Sequence, residues 1–192
     1  YPKEEAPEHI IEHIFVVSEN IADWYEEKYA IKRPTVLMNA PRLTKVNPNN
    51  YFRQYFSLRP DQKIFLYQGA LMFGRGIEDI IAAFLTRKDD TVVVIFMGYG
   101  LLEELVVREA NKSETIYFHP AVSPHQLLKY TASADFGLSL IQSTCQSYFY
   151  CMPNKLFEYL MAGLPVLVSN MKEMGEFVEK YEVGFVAKDS RV

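Results

Sequence analysis

The sequence predicts an α/β protein with a doubly wound parallel sheet. Two observations carry that prediction. Short apolar runs alternate with amphipathic stretches, almost without a break, along most of the chain. One of the runs, Thr91-Val92-Val93-Val94-Ile95-Phe96-Met97, is nearly all β-branched or apolar, as a central strand covered on both faces must be.

The elements follow in order. Positions 14–17 are a short apolar run, 20–29 an amphipathic stretch, and 35–38 a second run closed by Asn39-Ala40-Pro41. Residues 42–60 are polar and carry Pro48-Asn49-Asn50, so they read as a loop with a short helix near 51–56. Positions 63–67 are a buried strand. The helix over 77–85 puts Ile77, Ile80, Ile81 and Phe84 on one face. Strands are then expected at 91–97, 115–118, 136–141, 165–169 and 183–187. Helices are expected at 101–110, 124–132, 153–162 and 172–180. Sheets of this kind bind ligands at the carboxyl ends of their strands.

Composition removes several function classes. A length of 192 residues allows one good core plus an extra element. A formal net charge of −4 gives no global field to draw in nucleic acid. Two cysteines, Cys145 and Cys151, are too few for a disulfide framework, and no CxxC pair suggests zinc; they read as free thiols in a reducing compartment. His9 and His13 lie four apart without a third ligand, and His119 and His125 form no HExxH pair. Asp89-Asp90, adjacent at the expected end of a helix, is not an Asp-x-Asp metal signature, and no GxSxG elbow occurs. No apolar run approaches the roughly 20 residues of a membrane span. The charged N-terminus is not a signal peptide.

Three loops could carry chemistry. Gln68-Gly69-Ala70-Leu71-Met72-Phe73-Gly74-Arg75-Gly76 follows a strand and opens a helix. Its glycines let backbone approach a ligand, the helix N-terminus attracts anions, and the Arg75 fork suits phosphate oxygens. It fits neither GxxxxGK[ST] nor GxGxxG, so a tight turn with a surface arginine is the alternative. Met97-Gly98-Tyr99-Gly100 reads as a compact turn between strand and helix, with or without a ligand beside it. In Pro153-Asn154-Lys155-Leu156-Phe157-Glu158-Tyr159, Lys155 stands in the first turn, where the helix dipole prefers acids. A lysine there makes sense if an anion binds; otherwise Lys155 and Glu158 are solvated surface charges.

From Lys63 to Ala187 the chain resembles the C-terminal domain of GT-B glycosyltransferases, most closely the retaining family 4 group. The residues that carry this are Gly69…Arg75-Gly76-Ile77-Glu78, similar to the family's donor loop, the run from Pro153 to Val166, and Met174-Gly175-Glu176…Gly184-Phe185-Val186. The resemblance implies residues 1–34 as the tail of an N-terminal acceptor domain with its linker. It implies residues 35–192 as the Rossmann-like nucleotide-sugar-binding domain, truncated at its end. The partners implied are a nucleotide-diphosphate sugar, a saccharide or lipid-linked acceptor and the chain's own N-terminal domain, with neither cofactor nor metal.

Donor binding falls by position on Gly69, Arg75, Gly76, Gly98, Tyr150, Asn154, Lys155 and Glu158. Arg75 takes the place of the residue that grips the diphosphate. Glu158 matches the second glutamate of E-x7-E, which holds the ribose hydroxyls, and residues 119–122, from His119, sit near the base. Catalytic residues are expected mainly in the N-terminal domain. Two positions depart from the pattern: Tyr150 replaces the first glutamate of E-x7-E, and Ala70 replaces the arginine after the first loop glycine. A divergent subgroup in which Lys155 supplies the missing charge is the favoured reading. The resemblance also implies cell-surface polysaccharide or glycolipid assembly, in the cytoplasm at the inner face of a membrane. The rival readings are a non-catalytic nucleotide-sugar-binding module or partner subunit, and a GT-B-like nucleotide-sugar epimerase. A flavodoxin-like regulatory domain would want a phosphorylatable aspartate after the first strand, where Gln68-Gly69-Ala70 stands.

Overall fold

The computed structural model describes residues 12–187 and divides the chain into two compact units, Tyr1–Asn39 and Ala40–Val192. The first unit is a βαβ element. Strands β1 (Phe15–Val16) and β2 (Thr35–Val36) pair in parallel, with Phe15 opposite Thr35 and Val16 opposite Val36. Helix α1 (Glu19–Tyr29) connects them. Ser18 caps it by accepting from the Ile21 backbone N–H at 3.3 Å. Arg33 is clamped by Glu19 at 2.7 Å and Asp23 at 2.6 Å.

The second unit opens with helix α2 (Tyr51–Tyr55), whose Phe52 is fully buried. The helix is where the proline- and asparagine-rich loop was expected to tighten. A six-stranded sheet follows: β3 (Lys63–Ala70), β4 (Val92–Tyr99), β5 (Ile116–Pro120), β6 (Phe136–Ser139), β7 (Val166–Ser169) and β8 (Gly184–Ala187). Every pairing is parallel, in the order β5-β4-β3-β6-β7-β8. The chain winds outward from β3 to β5, returns to the other side of β3, and winds outward again. That is the expected doubly wound sheet, with its switch point between β3 and β6. Helices α3 (Ile77–Thr86), α4 (Glu103–Ala110), α5 (Pro124–Thr131), α7 (Asn154–Met161) and α8 (Lys172–Tyr181) make the crossovers. No helix among the described residues is long and apolar enough to cross a membrane.

Both faces of the sheet are apolar because both are covered. Ile64 and Leu66 of β3 pack with Leu156 and Tyr159 of α7, while Tyr67 packs with Ile77, Ile80 and Ile81 of α3 on the other face. Phe84 joins that cluster from its edge, completing the stripe read from the sequence.

Two differences from the sequence reading bear on the site. Gly69 and Gly98 are not turn residues: β3 and β4 run on to Ala70 and Tyr99, and the two glycines are opposite each other in the ladder. A Cβ on Gly98 would lie 1.9 Å from the Gly69 carbonyl oxygen, so the close approach of the strands requires glycine there. Helix α6 (Gln146–Phe149) was not foreseen, since four residues are too few to show a period.

Candidate functional site

The switch point is where a crevice has to form, and one side chain holds it open. β3 and β6 are registered only at Phe65–Phe136 and Leu66–Gly137, although both strands run further. Beyond that, the Tyr159 hydroxyl stands between them. It accepts from the Gln68 backbone N–H at 2.9 Å and donates to the Leu138 carbonyl at 3.1 Å. Tyr159 is fully buried, and burial pushes its phenol far above the ordinary range, so it remains a neutral bridge. Gly137 makes room for the ring, since a Cβ there would lie 2.2 Å from Tyr159 Cγ.

At the carboxyl end of β3 the chain turns through Gly74 and Gly76, both with positive φ (74° and 76°). Gly76 caps α3 and lies so close to Leu140 that a Cβ would fall 2.1 Å from its carbonyl oxygen. Between these glycines Arg75 places its guanidinium over the Tyr148 ring, 4.5 Å from the centroid. Across the crevice Lys155, the second residue of α7, reaches past Gly69. A Cβ on Gly69 would be 3.6 Å from the Lys155 ammonium. The ammonium sits over the Tyr67 ring at 3.9 Å. Neither cation has a hydrogen bond or ion pair among the described residues.

Lys155 is brought down to about 7, first by desolvation and then by the Arg75 charge, against the weaker opposing pull of Glu158 and Cys151. Desolvation also holds the Cys151 thiol up at about 11. Two converging cations that form no ion pair among the described residues, beside a glycine and at helix N-termini, form a place that favours an anion.

One turn along α7, Glu158 faces the same crevice. Its Oε2 accepts from the Gln68 side-chain nitrogen at 2.7 Å, and Gln68 Oε1 accepts from the Thr131 hydroxyl at 2.7 Å. Burial raises the Glu158 carboxyl, and the Gln68 hydrogen bond pulls it back down. At the end of β6 the Ser139 hydroxyl is buried without a hydrogen-bond partner among the described residues.

Of the residues expected at a donor site, Gly69, Arg75, Lys155 and Glu158 converge here. Gly76 and Gly98 shape the backbone around them, against Leu140 and Gly69 respectively. Tyr150 ends α6 with its ring edge-on to Phe149 at 5.0 Å, and Asn154 is exposed at the start of α7. His119, at the end of β5, bonds the Pro120 carbonyl through Nδ1 at 2.7 Å and the Tyr51 hydroxyl through Nε2 at 3.3 Å. Both ring nitrogens are therefore occupied within the protein. His9 lies outside the described residues. Asp89 and Asp90 lie past the end of α3, bonded to Arg87 and Arg59. Sequence reasoning missed the roles of Gln68, Thr131, Tyr148 and Tyr159. A glutamine in an otherwise apolar strand, just before a glycine, was the one signal that pointed to any of them.

A six-stranded parallel sheet with this winding has the fold of the Rossmann-like domains of GT-B glycosyltransferases. Residues 83–191, more than half of the chain, match the family described as glucosyltransferase 3-like, C-terminal domain, and the chain belongs to that family. The match begins within α3, so it takes in Lys155 and Glu158 but not Gly69 or Arg75. No curated protein matches the chain significantly in sequence.

Similar solved structures include WaaG, a glycosyltransferase involved in lipopolysaccharide biosynthesis. It has 17% identity and a TM-score of 0.69, over 92% of this chain and 49% of that one. HepE of Anabaena, in complex with UDP-glucose, has 14% identity and a TM-score of 0.69, over 95% and 51%. Sucrose-phosphate synthase of Thermosynechococcus elongatus has 19% identity and a TM-score of 0.70, over 94% and 46%. The chain thus spans about half the length of the structures it matches. At these identities the likeness is one of fold.

Proposed function

We propose that this chain is the donor-binding part of a retaining, family 4-like glycosyltransferase. It binds a nucleotide-diphosphate sugar, with residues 35–192 as the donor domain and residues 1–34 as the end of an acceptor domain. The observation that carries the reading is the pair Arg75 and Lys155 at the switch point, the latter beside Gly69, neither in an ion pair among the described residues. A diphosphate would supply the missing negative charge.

During transfer the bond from the anomeric carbon to the leaving phosphate oxygen breaks, a bond to the acceptor oxygen forms, charge gathers on the diphosphate, and the acceptor hydroxyl proton passes to the departing phosphate oxygen. Arg75, Lys155 and the N-terminus of α7 would stabilise that charge. Glu158 would take the ribose hydroxyls. No catalytic base is assigned to this half. The family description and the UDP-glucose complex of HepE make UDP-glucose the first donor to test. A place in cell-surface polysaccharide or glycolipid synthesis, on the cytoplasmic side of a membrane, accords with WaaG.

Calorimetric titration with UDP, GDP and ADP tests the reading, repeated on Glu158→Ala and Arg75→Ala. One nucleotide should bind, and both changes should weaken it. Failure of all three to bind at millimolar concentration would sink the proposal. The 192 residues alone should transfer no sugar. The second reading, a non-catalytic binding module, draws on Tyr150 and Ala70, which leave the crevice without a carboxylate and an arginine that the family pattern has. A longer protein that binds donor but never turns it over would favour it.

A further inference from the structure

Gln68 is an anomaly in its strand. Ile64 and Leu66 on the same face are apolar and buried, yet Gln68, only 1% exposed, carries an amide. An apolar residue would fill the place without needing partners. Both ends of the amide are bonded. Its nitrogen donates to Glu158 Oε2, and its oxygen accepts from Thr131, itself fully buried.

The direction of the amide follows from the donors available. An ionised carboxylate only accepts, so the amide nitrogen must face Glu158. The amide oxygen then faces Thr131, whose hydroxyl proton it shares with the Leu127 carbonyl at 2.9 Å. One carboxylate oxygen of Glu158 is thereby fixed, while the other has no hydrogen bond among the described residues.

We propose that Gln68, backed by Thr131, is a positioning residue for the donor: it orients the Glu158 carboxylate so that the free oxygen accepts the ribose hydroxyls. The inference rests on the donor-site reading of Glu158. The two bonds fix the rotation of the carboxylate and oppose the upward pull of burial on its pKa. Without Gln68 the half-buried carboxylate loses the hydrogen bond that favours its ionised form and turns freely.

The test compares UDP with 2′,3′-dideoxy-UDP by calorimetry. The two share base and diphosphate, so the ratio of their affinities reports the ribose hydroxyls alone. Wild type should prefer UDP. Gln68→Leu should cut the preference about tenfold, as expected for one hydrogen bond to a charged group, and leave dideoxy-UDP affinity unchanged. Thr131→Val, nearly isosteric, should cut it less while keeping Gln68 in place. Both affinities falling together, with the ratio intact, would mean that Gln68 is structural and would overturn the inference. If Gln68→Leu does not fold, an unchanged ratio in Thr131→Val overturns it equally. A wild-type ratio in Glu158→Ala, or no binding of UDP, GDP or ADP at all, overturns the donor-site reading together with the inference; if GDP or ADP binds instead of UDP, the same comparison is made with that nucleotide and its dideoxy form.

Discussion

On one side of the crevice, Lys155 and Arg75 bring two positive charges together and neither is bonded to a carboxylate among the described residues. On the other side, a few residues along the same helix, Glu158 is bonded to Gln68, and Gln68 to Thr131. The Glu158 side has one carboxylate oxygen held before any ligand arrives, and the other left open. The cationic side is left unpaired among the described residues, and desolvation together with the neighbouring Arg75 charge disfavours the charged Lys155. Unpaired charge at a functional site is the usual signature of a group that awaits an opposite charge.

The largest expected effect follows from removing the unpaired side. Arg75→Ala and Lys155→Met should each weaken UDP binding by about ten- to a hundredfold, the worth of a charge-assisted hydrogen bond to phosphate. The wild-type affinity should also fall as pH rises through about 7, because Lys155 loses its proton there in the free protein. UDP-glucose is the cleaner probe, since its diphosphate does not titrate near neutrality. Lys155→Arg should flatten that profile. A flat profile in the wild type would show that Lys155 does not hold the phosphate.

Next comes the bridge between the two sides. Tyr159→Phe leaves the Gln68 backbone N–H and the Leu138 carbonyl without their partner inside the sheet. It should cost about 1–3 kcal/mol in denaturant unfolding, the penalty for a buried unsatisfied polar group. A loss below measurement would mean that water replaces the hydroxyl and that the crevice extends deeper than the strand ends.

The fold was legible because its signals are periodic: apolar runs separated by helices of matching length can hardly make anything but a parallel sheet. Charge placement made half of the site legible. Lys155 stands where a helix dipole disfavours it, and Arg75 stands between glycines. The other half was hidden because it consists of contacts distant in sequence. Thr131 looks like the last residue of an ordinary helix until the fold sets it against Gln68, 63 positions away. Tyr159 looks like core, as it is, and its second role appears only where β3 and β6 part. Gly69 was recognised as part of a loop that could hold a ligand or make a turn, and Gly98 as part of a turn, because a residue pattern cannot tell a turn from two strands in close approach.

Lys155→Met should also stabilise the ligand-free protein, by on the order of 5 kcal/mol at neutral pH or below. The folded-state value of about 7 lies below the ordinary 10.5 that the unfolded chain shows. Below pH 7 the lysine is charged in both states, and the folded state carries the full cost. Between the two values only the unfolded chain is charged, so wild-type stability climbs with pH. The gain from methionine should therefore shrink as pH rises from 7 towards 10.5. A gain independent of pH would point to packing alone. Chemical denaturation across that range separates the two.

The smallest effect on binding belongs to Cys151, the remaining group whose charge would matter to the cations. Its thiol is held up at about 11, so near neutrality it is an uncharged neighbour of Arg75 and Lys155. Cys151→Ser should leave UDP affinity within about threefold and the Lys155 pH profile in place, as for a neutral exchange. Iodoacetamide should modify the exposed Cys145 well before Cys151, whose rate should keep climbing beyond pH 10. If Cys151 is alkylated first at neutral pH, a thiolate already balances the cations. The contrast between a hydrogen-bonded Glu158 and an unpaired pair of cations would then be lost, and with it the reason Lys155 should respond to pH near 7.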